Sequence, residues 1–105
     1  MPQFALYRNR NPASRARFPL LLDVQSDLLE PLATRVVVPL TPAAPARARA
    51  MRTLTPVLRF DGKDYLMLTP QIAGIAAHDL GPIAGNLVSH RDSIVAAVDF
   101  LLAGV

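Results

Sequence analysis

The sequence predicts a mainly β domain, in which five or six short antiparallel strands make a small sheet or partial barrel and one C-terminal helix completes its core. Three observations carry this. Ser89 to Val105 (SHRDSIVAAVDFLLAGV) repeats apolar residues at helical spacing, at Ile94, Val95, Val98, Leu101, Leu102 and Val105. Upstream, the apolar runs are short and often β-branched or alternating, as strands are. Asp61-Gly62 stands between two such runs, a hairpin signal because glycine takes the positive φ the turn needs.

In chain order, Gln3 to Tyr7 alternates Phe4 and Leu6 with Ala5 and Tyr7, a first strand. Arg8 to Arg17 (RNRNPASRAR) has no apolar side chain larger than alanine and four arginines, so it is a loop. It reads either as a basic, mobile contact surface or as a solvated hairpin loop. Phe18 to Ser26 resumes the strand pattern, with Leu20, Leu22 and Val24 on one face and Leu21, Asp23 and Gln25 on the other. A turn follows over Asp27 to Thr34. Arg35 to Leu40 (RVVVPL) is a strand that Pro39 assigns to a sheet edge or a strand end, because proline has no N–H for a ladder.

Thr41 to Arg52 (TPAAPARARAMR) reads as a surface excursion or short helical segment. It offers no aromatic side chain for base stacking, which weakens a nucleic-acid reading. Pro56 to Phe60 and Tyr65 to Leu68 flank the Asp-Gly turn, and Thr69-Pro70 closes the second strand. Ile72 to Ala77 is strand or helix; pattern does not separate them. Gly81-Pro82 breaks the chain, and Ser89 with Asp92 fits the S-x-x-D capping box at a helix start.

At 105 residues with no cysteine, the chain is one domain without disulfides or thiolate metal sites. No basic region followed by an apolar signal-length run opens it, and no run approaches a membrane span, so a soluble cytoplasmic protein is expected. Residues 1–59 hold nine arginines against Asp23, Asp27 and Glu30, a balance of +6; residues 60–105 hold Lys63 and Arg91 against five aspartates, a balance of −3. The basic half suits an acidic partner, and arginine favours bidentate contacts to carboxylate or phosphate. His78 and His90 have no second ligand at metal spacing. No nucleophile elbow, phosphate loop or dinucleotide fingerprint occurs. No catalytic residue, metal or cofactor is expected.

Stepping about 100° per residue places Ile94, Val98, Leu101 and Val105 in one arc, with Val95 and Leu102 beside it. Phe100 falls away from this arc among Ala96, Ala97 and Ala103, either against a partner or under a loop of the same chain.

Several segments together resemble the CcdB family, the toxins of toxin–antitoxin modules. They are Gln3-Phe4 with Tyr7, Asp23-Val24-Gln25-Ser26-Asp27-Leu28-Leu29, Arg35-Val36-Val37-Val38-Pro39-Leu40, Pro56-Val57, Met67 with Thr69, Ser89-His90-Arg91 and the terminal Gly104-Val105. The resemblance implies an SH3-like, partly open antiparallel barrel with a small β wing and a C-terminal α-helix, assembled as a homodimer. It implies a non-enzymatic protein that binds the A subunit of DNA gyrase and traps the cleaved DNA complex. A small CcdA-like antitoxin would neutralise it, and DNA would be met only indirectly, through the antitoxin complex.

The family's gyrase contacts are a terminal aromatic, glycine and aliphatic residue, matched here by Ala103, Gly104 and Val105; the aromatic is absent. Phe100 or Leu102 is then expected to rebuild the contact. Two other functions remain in view: a non-toxic dimer of the same fold that binds antitoxin for operon autorepression, and a MazF-like endoribonuclease. The latter ranks last, because Arg8 to Arg17 lacks the glycine-rich loop of those nucleases.

Overall fold

Seven antiparallel strands make one sheet in the computed structural model, which describes residues 2–29, 31–46 and 51–104. They are β1 (Ala5–Arg8), β2 (Leu20–Asp23), β3 (Thr34–Pro42), β4 (Val57–Phe60), β5 (Lys63–Met67), β6 (Ala73–Ala76) and β7 (Ile83–Asn86). The order is β4-β5-β3-β2-β1-β7, with β6 also paired to β3. The sheet curls into an SH3-like, partly open barrel, and the β4–β5 hairpin forms the small wing. The C-terminal helix spans Arg91–Ala103.

Strand alternation explains the core. Leu6, Leu20, Leu22, Val38 and Leu40 point to one side and pack with Phe4, Leu58, Met67, Leu87, Ile94 and Ala97. The intervening Ala5, Tyr7, Leu21 and Val37 form a second cluster with Leu80 on the opposite face. Burial on both faces is why Leu20–Leu22 of β2 and Val37–Leu40 of β3 are unbroken apolar runs rather than a strict apolar–polar alternation.

Pro39 is not at an edge, contrary to expectation. It lies inside β3, the longest strand, opposite Leu21 of β2. β6 pairs with Thr34 to Val37 and β5 with Leu40 to Pro42, so Pro39 occupies the gap between the two ladders. Its carbonyl accepts the Leu68 N–H at 3.0 Å on that side, where no partner strand requires the missing N–H. Ile72 to Ala77, open between strand and helix, contains strand β6. In Thr41 to Arg52, β3 runs on through Pro42 and a kinked turn, Ala43–Ala46, follows, broken by the extended backbone of Ala44 (φ −88°, ψ 127°); residues 47–50 lie outside the described residues. The Asp-Gly hairpin is as expected, with φ of 51° at Asp61 and 77° at Gly62.

The capping box does not form. Asn86 Oδ1 accepts the Val88 N–H at 3.1 Å and starts a 3-10 turn over Val88–His90. Ser89 is thereby absorbed into that turn, and the helix begins at Arg91 with His90 at the N-cap and no side-chain cap bond. The His90 ring instead meets the Arg59 carbonyl at 3.2 Å, joining the helix entry to the wing. Gly85 is the other fastening of the wing: a Cβ there would stand 2.5 Å from Phe60 Cε1, so the ring rests directly on the β7 backbone.

Asp23 and Arg35 form a fully buried ion pair, Nε to Oδ2 at 2.7 Å and Nη2 to Oδ1 at 3.0 Å. Around it, the Gln25 N–H donates to Asp23 Oδ1, the Val36 N–H to Gln25 Oε1 and Gln25 Nε2 to the Leu29 carbonyl, each at 3.0 Å. Burial raises the Tyr7 phenol above its ordinary value of 10; the Asp23 charge adds to this and Arg35 opposes it.

Asp23→Ala strands a buried guanidinium and should cost about 3–5 kcal/mol in urea unfolding, whereas a double replacement of Asp23 and Arg35 by leucine and methionine should recover most of that loss. For Tyr7 the unfolded chain ionises first. Its contribution is therefore constant below pH 10 and declines as pH rises above that value, so wild type and Tyr7→Phe should diverge in pH-dependent melting only on the alkaline side.

Candidate functional site

The helix presents two kinds of surface. Ile94 and Ala97 are buried, and Val95, Val98 and Leu101 are half-buried against the barrel. Ala97 belongs to the core, not to the second face to which its spacing pointed. Leu102 departs the other way: it is 75% exposed, while its neighbour Leu101 stays half-buried. Phe100 is 38% exposed, and Ala103 and Gly104 are exposed. Val105 lies outside the described residues.

Gly104 ends the helix in the left-handed conformation, φ 73°, while its N–H donates to the Phe100 carbonyl at 2.9 Å. A side chain there is strained, and glycine relieves that strain.

The expected site residues divide around the axis. Leu102 lies one turn beyond Val98 and continues the row of Val95 and Val98. Phe100 is about 160° from Leu102 and shares its side with Ala103. The helix end therefore offers Leu102 on one side and Phe100 with Ala103 on the other, so the two replacements expected for the missing aromatic do not converge on one point.

A groove of about 180 Å³ borders the Leu102 row, lined by Gln3, Phe4, Val24, Ile94, Val95, Val98 and Asp99. Its wall includes a backbone rarity: Phe4 is buried with φ 69°, in the left-handed region. This conformation is held by the Phe4 N–H on the Asp23 carbonyl and the Leu87 N–H on the Phe4 carbonyl. The Gln3 N–H donates to Asp27 Oδ1 at 2.6 Å and Gln3 Nε2 to the Val24 carbonyl at 3.2 Å. These bonds bring the 3-10 turn Asp27–Leu29 to the groove's border, where Leu28 is 90% and Leu29 48% exposed.

Sequence reasoning missed this turn as part of the surface. The signal was present as two adjacent leucines, Leu28 and Leu29, in a segment read only as a turn. Among the described residues, no cluster of three His, Cys, Asp or Glu side chains is placed to hold a metal. No helix among them is long and apolar enough to cross a membrane.

A family model described as CcdB protein matches residues 3–104. The chain belongs to the CcdB family. Membership supports, at family level, a toxin of a toxin–antitoxin module directed at gyrase. In this CcdB-family chain the alanine at position 103 leaves Leu102 as the most exposed large side chain of the helix end among the described residues.

Burial separates the two ends of the helix in a measurable way. Ile94→Ala should lower unfolding stability by about 2–5 kcal/mol through lost packing. Leu102→Gln should stay within about 0.5 kcal/mol of wild type in the same urea titration.

Proposed function

We propose that this chain is the toxin of a type II toxin–antitoxin module, which binds the A subunit of DNA gyrase and traps the complex on cleaved DNA. It acts as a homodimer in the cytoplasm and is neutralised by a small CcdA-like antitoxin. The observation that carries this reading is the exposed helix end, where Leu102 is open to solvent and Gly104 ends the helix in the left-handed conformation.

The physical logic is that of a docking surface. Leu102, Ala103, Gly104 and Val105 make the contact, with Phe100 flanking it from the far side of the helix. Ala103 permits close approach of the partner's backbone but supplies no ring for an arginine to stack on. Leu102 supplies apolar area in its place, and burying such a side chain contributes roughly 1.5–3 kcal/mol. The chain brings no reacting group; strand cleavage and rejoining are gyrase chemistry, which the bound toxin arrests. Exposed Leu28, Ile83 and Val88 are further apolar area that a second copy would cover.

Purified chain added to gyrase, supercoiled DNA and ATP should yield protein-linked linear DNA after detergent and protease treatment. Leu102→Gln should raise the concentration for half-maximal cleavage about 10-fold or more, as loss of roughly 1.5 kcal/mol requires. Absence of linear product from wild type with several bacterial gyrases would reject the reading. Equal potency of the variant would move the contact away from Leu102.

A further inference from the structure

We propose that the loop joining β1 to β2, residues 9–19 with Arg8 at its root, binds the phosphate backbone of duplex DNA directly. Arg8, Arg10, Arg15 and Arg17 are all exposed. None has a carboxylate within ion-pair distance among the described residues. Arg10 spends one nitrogen on the His78 carbonyl at 2.6 Å, and Arg17 stacks over the Phe18 ring with its guanidinium carbon 4.8 Å from the centroid. Asp79 borders the same depression as Arg10, but its Oδ1 is 3.2 Å from His78 Nδ1.

The frame beneath these charges is built by the loop's own polar side chains. Asn9 Nδ2 donates to Ser14 Oγ at 3.0 Å and to the Phe18 carbonyl at 2.9 Å. The Asn11 N–H donates to Asn9 Oδ1 and the Ala13 N–H to Asn11 Oδ1, both at 3.0 Å. Backbone bonds from Arg15 to Asn11 and from Phe18 to Ser14 close it. The loop thus presents guanidinium groups from an internally bonded frame, which reduces the ordering cost of binding.

Chemistry selects a nucleic-acid backbone over an acidic peptide. Peptide recognition draws its affinity from desolvated apolar anchors, and no large apolar side chain is exposed between Arg8 and Pro19. Phosphate needs only donors and charge, and arginine supplies both in a planar fork. Phe18 is half-buried and covered by Arg17, so no ring is offered to a base, and the contact is with a duplex and independent of sequence. β1 leads from the Gln3–Phe4 groove at its start to this loop at its end, roughly 13 Å of strand. One hairpin therefore carries the helix-side surface at one end and the DNA-facing loop at the other. This differs from contact with DNA through an antitoxin complex alone, and it does not depend on gyrase being the target.

The test is fluorescence anisotropy of the full chain with a labelled 30-bp duplex of arbitrary sequence between 50 and 200 mM KCl. Three to four phosphate contacts should give a log K against log salt slope of about −3, roughly a 40- to 150-fold loss of affinity over that range. Arg15→Gln with Arg17→Gln should make the slope shallower by about 2, while the control pair Arg52→Gln with Arg91→Gln, also exposed, should leave it unchanged. Circular dichroism melting of both variants should match wild type. An equal effect of the two pairs would reduce the contact to diffuse net charge and overturn the proposal. So would no binding at 50 mM KCl, or a labelled 20-residue polyglutamate binding as tightly as the duplex.

Discussion

The buried pair of Asp23 and Arg35 is the constraint to which the rest of the architecture answers. Each charge is removed from water and is tolerable only while the other faces it with both hydrogen bonds made. A slip of one residue between β2 and β3 would turn either side chain to the opposite face, so the pair opposes that slip. That register places Leu20 and Leu22 opposite Leu40 and Val38. The same network reaches, through Gln25, the turn that exposes Leu28.

With β3 held in register, its other edge carries two partners in succession. β6 takes the first half and β5 the second, and proline is accepted at the change-over because no ladder bond is due there. The wing is then fastened twice more, by the Phe60 ring on Gly85 and by His90 on the Arg59 carbonyl. The His90 bond holds the helix at its entry, while at the other end Leu101 stays half-buried and Leu102, Ala103 and Gly104 are exposed.

Much of this was readable from periodicity and turn chemistry, since both depend on neighbours in sequence. The Asp61-Gly62 hairpin, the strands around Leu6, Leu21 and Val38 and the position of the helix all follow from local pattern. What was not readable depends on distant partners. Pro39 looked like an edge residue because the gap between β5 and β6 is a property of three strands together. Ser89 looked like a cap because nothing local says that Asn86 starts a turn before it. Asp23 read only as part of the second face of its strand because its counterion stands on another strand. At the helix end, exposure of Leu102 and burial of Ala97 reverse what hydrophobicity alone suggests, since the barrel decides which residues it covers.

The placement of β1 has a consequence for synthesis. β1 sits between β2 and β7, so Leu6 finds Leu22 soon after leaving the ribosome and must wait for Gly85 on its other side. Phe4 likewise joins a cluster that needs Ile94 and Ala97. Contacts so distant along the chain close late. The sheet therefore cannot close before β7 is translated, and a chain ending upstream of the helix lacks Ile94 and Ala97 from its core.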